Sequence, residues 1–171
     1  MSLCSLKLIV SYHSRMLGIA SLAAVLLVAT DTAALTAAEK KVLERGRYLV
    51  VIAGCNDCHT AGYADAAGKV PEKDWLLGDR TGWRGPWGTT YSSNLRLSMQ
   101  RLTEEQWLTV AKTVEFRPPM PWYILREMTD QDLRAIYRFI KSLGPAGEPA
   151  PAFVPPDQEP PRPYILFPDS P

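Results

Sequence analysis

The stretch CNDCHT, residues 55–60, restricts the fold of this chain more than any other feature of the sequence. It places Cys55 and Cys58 three residues apart, with His59 directly after the second thiol. Three kinds of site use this pattern: a redox-active dithiol, half of a zinc site, or the covalent attachment site of a haem. Each kind belongs to a different structural context, so the rest of the sequence has to distinguish them.

The N-terminal segment has the layout of a secretory signal peptide. Basic residues precede an uncharged run, residues 16–30, and small residues follow that run. This order predicts a signal peptide over residues 1–38, cleaved after Ala34 or Ala38, and therefore an exported protein. An uncleaved membrane anchor is the alternative, but a membrane-spanning helix needs about 20 apolar residues and this run is shorter.

Removal of the leader would leave few residues that could bind a metal. Cys4 and His13 would be lost, so the only cysteines and the only histidine of the mature chain would be those of the CNDCHT motif. The leader holds two basic residues and one acidic residue, so Lys and Arg would fall from 19 to 17, and Asp and Glu from 18 to 17. The mature chain is then near neutral, which does not indicate a nucleic-acid-binding function, because such proteins carry a basic face.

Haem is the site that makes use of every residue in the motif. A zinc site needs four ligands, and the motif supplies three. A redox dithiol normally begins a helix that follows a strand, whereas the residues before this motif have a helical pattern. Cys55 and Cys58 can add to the two vinyl groups of one haem, and His59 can bind its iron. We therefore predict one covalently attached haem c, with His59 as an axial ligand.

Three segments of the mature chain have helical periodicity. Apolar or small residues recur at three- and four-residue spacing over residues 38–53, 103–114 and 129–143. Thr103 begins the second segment with a capping-box sequence, and Thr129 is a good cap for the third. No convincing strand pattern lies between the first two segments. The sequence thus predicts an all-α fold, with three or more helices and long loops wrapped around one covalently bound haem.

The predicted helices and the motif lie in one domain, residues 39–143, and a proline-rich C-terminal tail, residues 144–171, follows it. The tail holds ten of the fifteen prolines, so it can form neither a helix nor a central strand. An apolar cluster at residues 164–167 is unusual for a disordered tail. We therefore expect the tail to pack against the domain or against a partner.

The second axial ligand of the iron cannot be a histidine, because no other histidine remains in the mature chain. A methionine paired with a histidine is typical of haem proteins that transfer electrons, and it raises the reduction potential. Met120 stands in the sequence RPPMPW, where three prolines would hold the loop rigid. Met99 and Met128 adjoin predicted helices and are interpreted as core residues. We therefore predict Met120 as the second axial ligand.

Four stretches of the chain, in order, resemble the class I c-type cytochromes. ERGRYLVVIAGCNDCHT is similar to their first helix and haem motif, and GPWGTTYSSNLR to the loop that follows. PPMPW resembles their axial-methionine loop, and MTDQDLRAIYRFIKSLGP their last helix. The similarity is greatest to the monohaem cytochrome subunits and carriers that serve dehydrogenases of the bacterial periplasm. The proline-rich tail is not part of the shared core.

The resemblance also implies contacts around the haem. It implies that the first and last helices cross near Gly46, with Tyr137 packed nearby, because a glycine allows close approach. It further implies that the backbone carbonyl of Gly85 or Pro86 accepts the ring N–H of His59. The remaining haem-pocket candidates follow in the same loop or are aromatic, with plain core packing as the alternative for the aromatic ones: Trp83, Trp87, Tyr91, Asn94, Trp122 and Tyr123.

The function that these expectations favour is one-electron transfer in the bacterial periplasm. The expected partners are a dehydrogenase as donor and an oxidase or another cytochrome as acceptor, and no catalytic residues are expected. One alternative is an obligate electron-transfer subunit of a dehydrogenase complex, for which the tail argues. A second is a haem enzyme or gas sensor with an open sixth position, which requires that Met120 is not a ligand. Contact with a membrane would be expected only through an uncleaved leader.

Overall fold

The computed structural model describes residues 36–167. The predicted signal peptide therefore lies outside the described residues except for its last three, which belong to the first helix. Among the described residues the chain divides after Lys41, and the contacts and cavities described below lie within residues 42–167. Within residues 36–167, no helix is both long enough and apolar enough to cross a membrane.

The described part of the chain contains six α-helices, one 3₁₀ turn and three short strands. In chain order the elements are α1 (residues 36–52), α2 (Cys55–His59), the 3₁₀ turn (Glu72–Asp74), β1 (Gly82–Gly85), β2 (Gly88–Tyr91), α3 (Leu95–Gln100), α4 (Glu104–Thr113), α5 (Trp122–Glu127), α6 (Asp130–Ser142) and β3 (Tyr164–Leu166).

The three predicted helices are α1, α4 and α6, each within two residues of its expected limits. Thr103 and Gln106 form the reciprocal capping box at the start of α4, which satisfies two backbone donors that the helix leaves free. The side chain of Thr129 accepts from the backbone N–H of Asp132 at the start of α6. Gly144, with φ of 71°, follows the end of α6 in the left-handed conformation that suits glycine.

The first and last helices cross at Gly46, as the resemblance implied. A Cβ atom added at Gly46 would lie 2.1 Å from the carbonyl oxygen of Ala135 and 2.7 Å from the Cβ of Phe139. Only glycine permits this approach of the two backbones. Ala135 and Phe139 make this contact. Tyr137, which lies between them on α6, packs against the core and donates its hydroxyl to the carbonyl of Leu102.

Buried apolar side chains of the helices form the core. Trp107 of α4 donates from its indole Nε1 to the carbonyl of Leu133 in α6 at 2.9 Å, which fixes the two helices against each other. The largest fully buried apolar side chains come from α1, α3 and α6 and from the loop before β1: Val50, Leu76, Met99, Leu133 and Ile140.

A small sheet makes the all-α expectation only approximate. β1 and β2 form an antiparallel hairpin in which Gly82 pairs with Tyr91. β3, from the tail, joins the other side of β1 in parallel, so the strand order is β2-β1-β3. The strands are only three or four residues long, and β1 and β2 include glycines. An alternating pattern is therefore not visible in the sequence.

The proline-rich tail packs on its own domain along its described length, and we call residues 144–167 the C-terminal strap. Near its start, the buried guanidinium of Arg96 donates to the carbonyls of Leu143 and Gly144, the latter at 2.6 Å. Further on, Val154 exchanges two backbone hydrogen bonds with Thr89 of β2. Near its end the strap forms β3, which lies at the edge of the sheet. An edge position suits a proline-rich segment, because proline lacks the N–H that a central strand needs.

Candidate functional site

The cysteine motif forms a short helix of its own. Gly54, with φ of 70°, separates α1 from α2, and α2 consists of residues Cys55–His59. The hydroxyl of Thr60 donates to Asn56 at 2.8 Å and accepts from the backbone of Leu76 at 2.7 Å, so the motif is fixed to the loop that follows. The two thiols are not joined in a disulfide.

The environment of the thiols does not suit a redox dithiol. Burial raises the pKa of Cys55 to about 11, and burial also raises the pKa of Cys58. Reactive dithiols have a lowered thiol pKa, because the thiolate is the nucleophile. The raised pKa values of Cys55 and Cys58 therefore differ from those of reactive dithiols.

His59 is buried and its orientation is fixed. Its Nδ1 lies 2.7 Å from the backbone carbonyl oxygen of Ser93, to which it donates when Nε2 is the free nitrogen. Burial lowers the pKa of His59, so the imidazole is neutral at physiological pH, as a metal ligand must be. The expectation that Gly85 or Pro86 supplies this carbonyl is wrong. Those residues lie at the turn between β1 and β2, and the chain returns to His59 only after β2 has ended.

A largely apolar cavity of about 420 Å³, the main cavity, lies against the motif. Cys55, Cys58 and His59 line it, and so do all three methionines of the described chain: Met99, Met120 and Met128. Apolar side chains from α3, α4, α5 and α6 supply much of the remaining wall, among them Leu95, Trp107, Ile124, Leu125, Ile136 and Ile140. The helices that form the core thus also enclose the space beside the thiols.

A second cavity of about 280 Å³, the side cavity, shares Cys58, His59 and Met120 with the main cavity. Its remaining wall is more polar and includes Thr90 and Tyr91 of β2. The buried hydroxyls of both residues have no hydrogen-bond partner in the part of the chain that the structure describes. Unpaired buried polar groups are costly, so these hydroxyls indicate a ligand with polar atoms on this side.

The two cavities together fit a haem. A haem is a flat apolar macrocycle with two propionate groups, and it needs an apolar wall as well as polar partners. The main cavity supplies the apolar wall beside the two thiols, and the side cavity supplies the free hydroxyls of Thr90 and Tyr91. Since Nδ1 of His59 is engaged by Ser93, Nε2 is the ring nitrogen available to bind iron.

The other residues predicted for the pocket fall into two groups. Tyr91 lines the side cavity, and Trp83 lines both cavities. Asn94 instead caps α3 and donates to the strap carbonyls of Ala146 and Glu148. The predicted residues that line neither cavity are Gly85, Pro86, Trp87, Asn94, Trp122 and Tyr123.

Besides the apolar side chains of the helices, Ser93 and Phe167 belong to the site and were not predicted from the sequence. Ser93 contributes only a backbone carbonyl, which no side-chain pattern can indicate. Phe167 lines the main cavity from the end of the strap, more than 100 residues after the motif. The apolar cluster at residues 164–167 was the available signal, since it indicated that this part of the tail packs against something.

The covalent motif, the neutral histidine and the two cavities define a haem-binding protein of the c type. The comparison with family models agrees, since the cytochrome c model matches residues 43–144. This match covers more than half of the chain, and the chain belongs to the cytochrome c family. It binds haem c covalently, with Cys55, Cys58 and His59 as its CXXCH motif, and functions in haem-based electron transfer. No curated protein and no solved structure matched the chain.

Proposed function

We propose that this protein is a periplasmic one-electron carrier with His59 and Met120 as axial ligands of its haem iron. It would accept electrons from a dehydrogenase and pass them to a respiratory oxidase or to another cytochrome. The observation that carries the proposal is that the fixed imidazole of His59 and the side chain of Met120 line both cavities of the site.

The position of Met120 favours it over the other two methionines. Met99 is 1% exposed within α3 and belongs to the core cluster, and neither Met99 nor Met128 lines the side cavity. Met120 lies between prolines in a turn, where its N–H donates to Arg117 and its carbonyl accepts from Trp122 at 2.9 Å. A backbone held in this way can present a thioether with little further loss of entropy.

The residues of the chain adjust the site for electron transfer in two ways. The haem supplies the exchange of a single electron at its iron. Ser93 holds the His59 ring in one orientation, which limits rearrangement when the iron changes charge. The apolar wall of the main cavity excludes water and so disfavours the more highly charged ferric state.

Partner binding would take place through apolar contacts near α5. Ile124 lines the main cavity and is also 38% exposed, and its neighbour Tyr123 is 59% exposed. The wall of the cavity therefore reaches the surface at this point. A mature chain of near-neutral charge would give association rates that depend little on salt.

The strap gives partial support to the alternative of an obligate dehydrogenase subunit. That alternative depended on an apolar cluster in the tail that needed a partner surface. Residues 164–166 pair with β1, and Phe167 packs on Trp83 and Trp87 of the same chain. Ile165 and Leu166 are 48% and 69% exposed, so part of the cluster is still open to a partner surface.

Optical spectra of the exported holoprotein test the ligand assignment. We expect wild type to be low-spin, to show the weak sulfur-to-iron band in the deep red, and to be unreactive towards carbon monoxide when reduced. Met120→Ala should lose the band and bind carbon monoxide. Met128→Ala is the matched control, because Met128 lines only the main cavity, and it should keep the wild-type spectrum. A wild-type protein that binds carbon monoxide would contradict the proposal and favour an enzyme or gas sensor.

A further inference from the structure

The last residue that the structure describes lies in the wall of the haem site. Phe167 lines the main cavity together with Cys55, Cys58 and His59. The family model ends at residue 144, so this contribution comes from outside the region that the chain shares with the family. The C-terminal strap thus adds a side chain to a site that the shared domain alone would leave without it.

Backbone hydrogen bonds at Phe167 and in the residues before it fix its position. The N–H of Phe167 donates to the carbonyl of Arg84 in β1 at 2.7 Å. Before it, β3 pairs in parallel with β1, and the N–H of Gly82 donates to the carbonyl of Pro163 at 3.0 Å. The Arg84 side chain also donates to the carbonyl of Gln158 at 2.9 Å. Phe167 is therefore held by a built strand rather than by a loose end.

Aromatic contacts connect Phe167 to the centre of the site. Its ring centroid lies 5.8 Å from that of Trp83 and 5.5 Å from that of Trp87. Trp83 lines both cavities, and its Nε1 donates to the hydroxyl of Ser92 at 3.3 Å. Ser92 directly precedes Ser93, whose carbonyl orients the axial histidine. Phe167 thus supports the wall beside His59 as well as lining the cavity.

We propose that Phe167 is a haem-pocket residue, through which the C-terminal strap closes the haem site to water and raises the reduction potential. The ferric haem carries one more positive charge than the ferrous haem, and water stabilises that charge. An apolar ring that excludes water from the cavity therefore favours the reduced state. The strap would then set the potential of this carrier from outside the shared cytochrome domain.

Reduction potentials of strap variants of the full-length holoprotein test this. We expect Phe167→Ala to lower the equilibrium constant for reduction about fivefold. At 59 mV per tenfold change, this lowers the reduction potential by about 40 mV. Leu166→Ala is the matched control on the same strand, because Leu166 is 69% exposed and lines neither cavity. It should change the constant less than twofold. Equal potentials for Phe167→Ala, Leu166→Ala and wild type would overturn the proposal.

Two more variants separate loss of the ring from loss of the strap. Phe167→Leu keeps an apolar side chain at the site, so it should recover most of the wild-type potential if exclusion of water is the cause. A chain that ends at Pro163 lacks β3 and Phe167. Its reduction potential should be lowered at least as much as that of Phe167→Ala. A wild-type potential in this shortened chain would also overturn the proposal. This test depends on the covalent haem and not on the assignment of Met120. If Met120 were not the ligand, the Met120→Ala spectrum would show it, and the differences in potential among the strap variants would still be expected.

Discussion

The helical region (α1, α4 and α6) and the strap region (the sheet and residues 144–167) are held together by different forces. In the helical region Val50, Leu133 and Ile140 are at most 1% exposed. The strap region is held chiefly by backbone pairing, by hydrogen bonds to carbonyls and by the aromatic contacts of Phe167. It also contains buried polar atoms without a partner in the described chain, at Trp87, Thr89, Thr90 and Tyr91.

This difference indicates that the helical region chiefly stabilises the fold, whereas the strap region chiefly affects the haem site. Each fully buried aliphatic side chain contributes about 1.5 to 3 kcal/mol, so the helical region supplies most of the folding energy. Each buried polar group without a partner costs about 1 to 3 kcal/mol, so a bound group that accepts hydrogen bonds from Thr90 and Tyr91 in the side cavity would stabilise the strap region. We expect changes in the helical region to affect folding and changes in the strap region to affect the haem site first.

The largest effect should follow from Gly46→Ala at the crossing of α1 and α6. The new Cβ would meet the Ala135 carbonyl at 2.1 Å, and a backbone cannot move away as a flexible side chain can. We expect a loss of about 3 kcal/mol or more in the free energy of unfolding, measured by denaturant titration. An unchanged free energy of unfolding in Gly46→Ala would contradict the view that the helical region supplies most of the stability.

Gly62→Ala is the control for Gly46→Ala. Its φ is 68°, and an added Cβ would meet nothing within 4 Å, so only backbone strain of about 1 to 2 kcal/mol should result. A similar loss in both variants would show that helix crossing at Gly46 is not as close as described.

The helical region could be predicted from the sequence because its signals are local. Thr103 with Gln106, and Thr129 before an amphipathic run, determine where α4 and α6 begin. α3 and α5 were missed, since each has six residues and depends on contacts with the rest of the domain. The strands were missed for a similar reason: β1 is stabilised by β3, and the two lie about 80 residues apart.

The site shows the same division between local and distant information. The attachment residues Cys55 and Cys58 and the ligand His59 are adjacent in the chain, so spacing alone indicated their chemistry. The partner of His59 could not be chosen correctly, because the carbonyl that approaches it depends on the path of the β1–β2 hairpin. Asn94 lies close in sequence to Ser93, yet its side chain turns to the strap rather than to either cavity.

A smaller effect should follow from changes at Asn94, which joins the cap of α3 to the strap. Its Oδ1 accepts from Leu97 at 3.0 Å, and its Nδ2 donates to the strap carbonyls of Ala146 and Glu148. Asn94→Ala loses both functions and should cost about 1 to 2 kcal/mol. Asn94→Asp keeps the cap acceptor but sets a carboxylate against two carbonyl oxygens, so it should release the strap alone.

Amide hydrogen exchange distinguishes the two Asn94 variants. In Asn94→Asp, the amides of Val154 and Phe167 should exchange faster, while that of Leu133 in α6 should keep its wild-type rate. Equal acceleration at all three amides would show that the strap and the helices open together, and the two regions would then be a single cooperative unit.

The smallest effect should come from the ion pairs between α4 and α6, and it should depend on pH. Hydrogen bonds from Arg138 and Arg134 hold the pKa of Glu104 below its usual value. A lowered carboxyl pKa contributes stability above the unfolded-state value of about 4.3, and that stability is lost as pH falls through the folded-state value. Glu104→Gln should therefore lower the melting temperature by no more than about 4 °C at pH 7, because the pair is near the surface.

Melting curves from pH 7 to pH 3 test the sign of this effect. The gap between Glu104→Gln and wild type should begin to narrow as the pH falls below about 4.3, and it should close only below the lowered folded-state pKa, where the wild-type carboxyl is also neutral. Glu105→Gln is the control, since Glu105 pairs with Arg134 and its side chain is 73% exposed, and it should change the melting temperature less. A gap that stays constant down to pH 3 would mean that packing of the side chain, and not its charge, joins α4 to α6. The helical region would then be stabilised by apolar contact even at its surface, which would sharpen its contrast with the strap region.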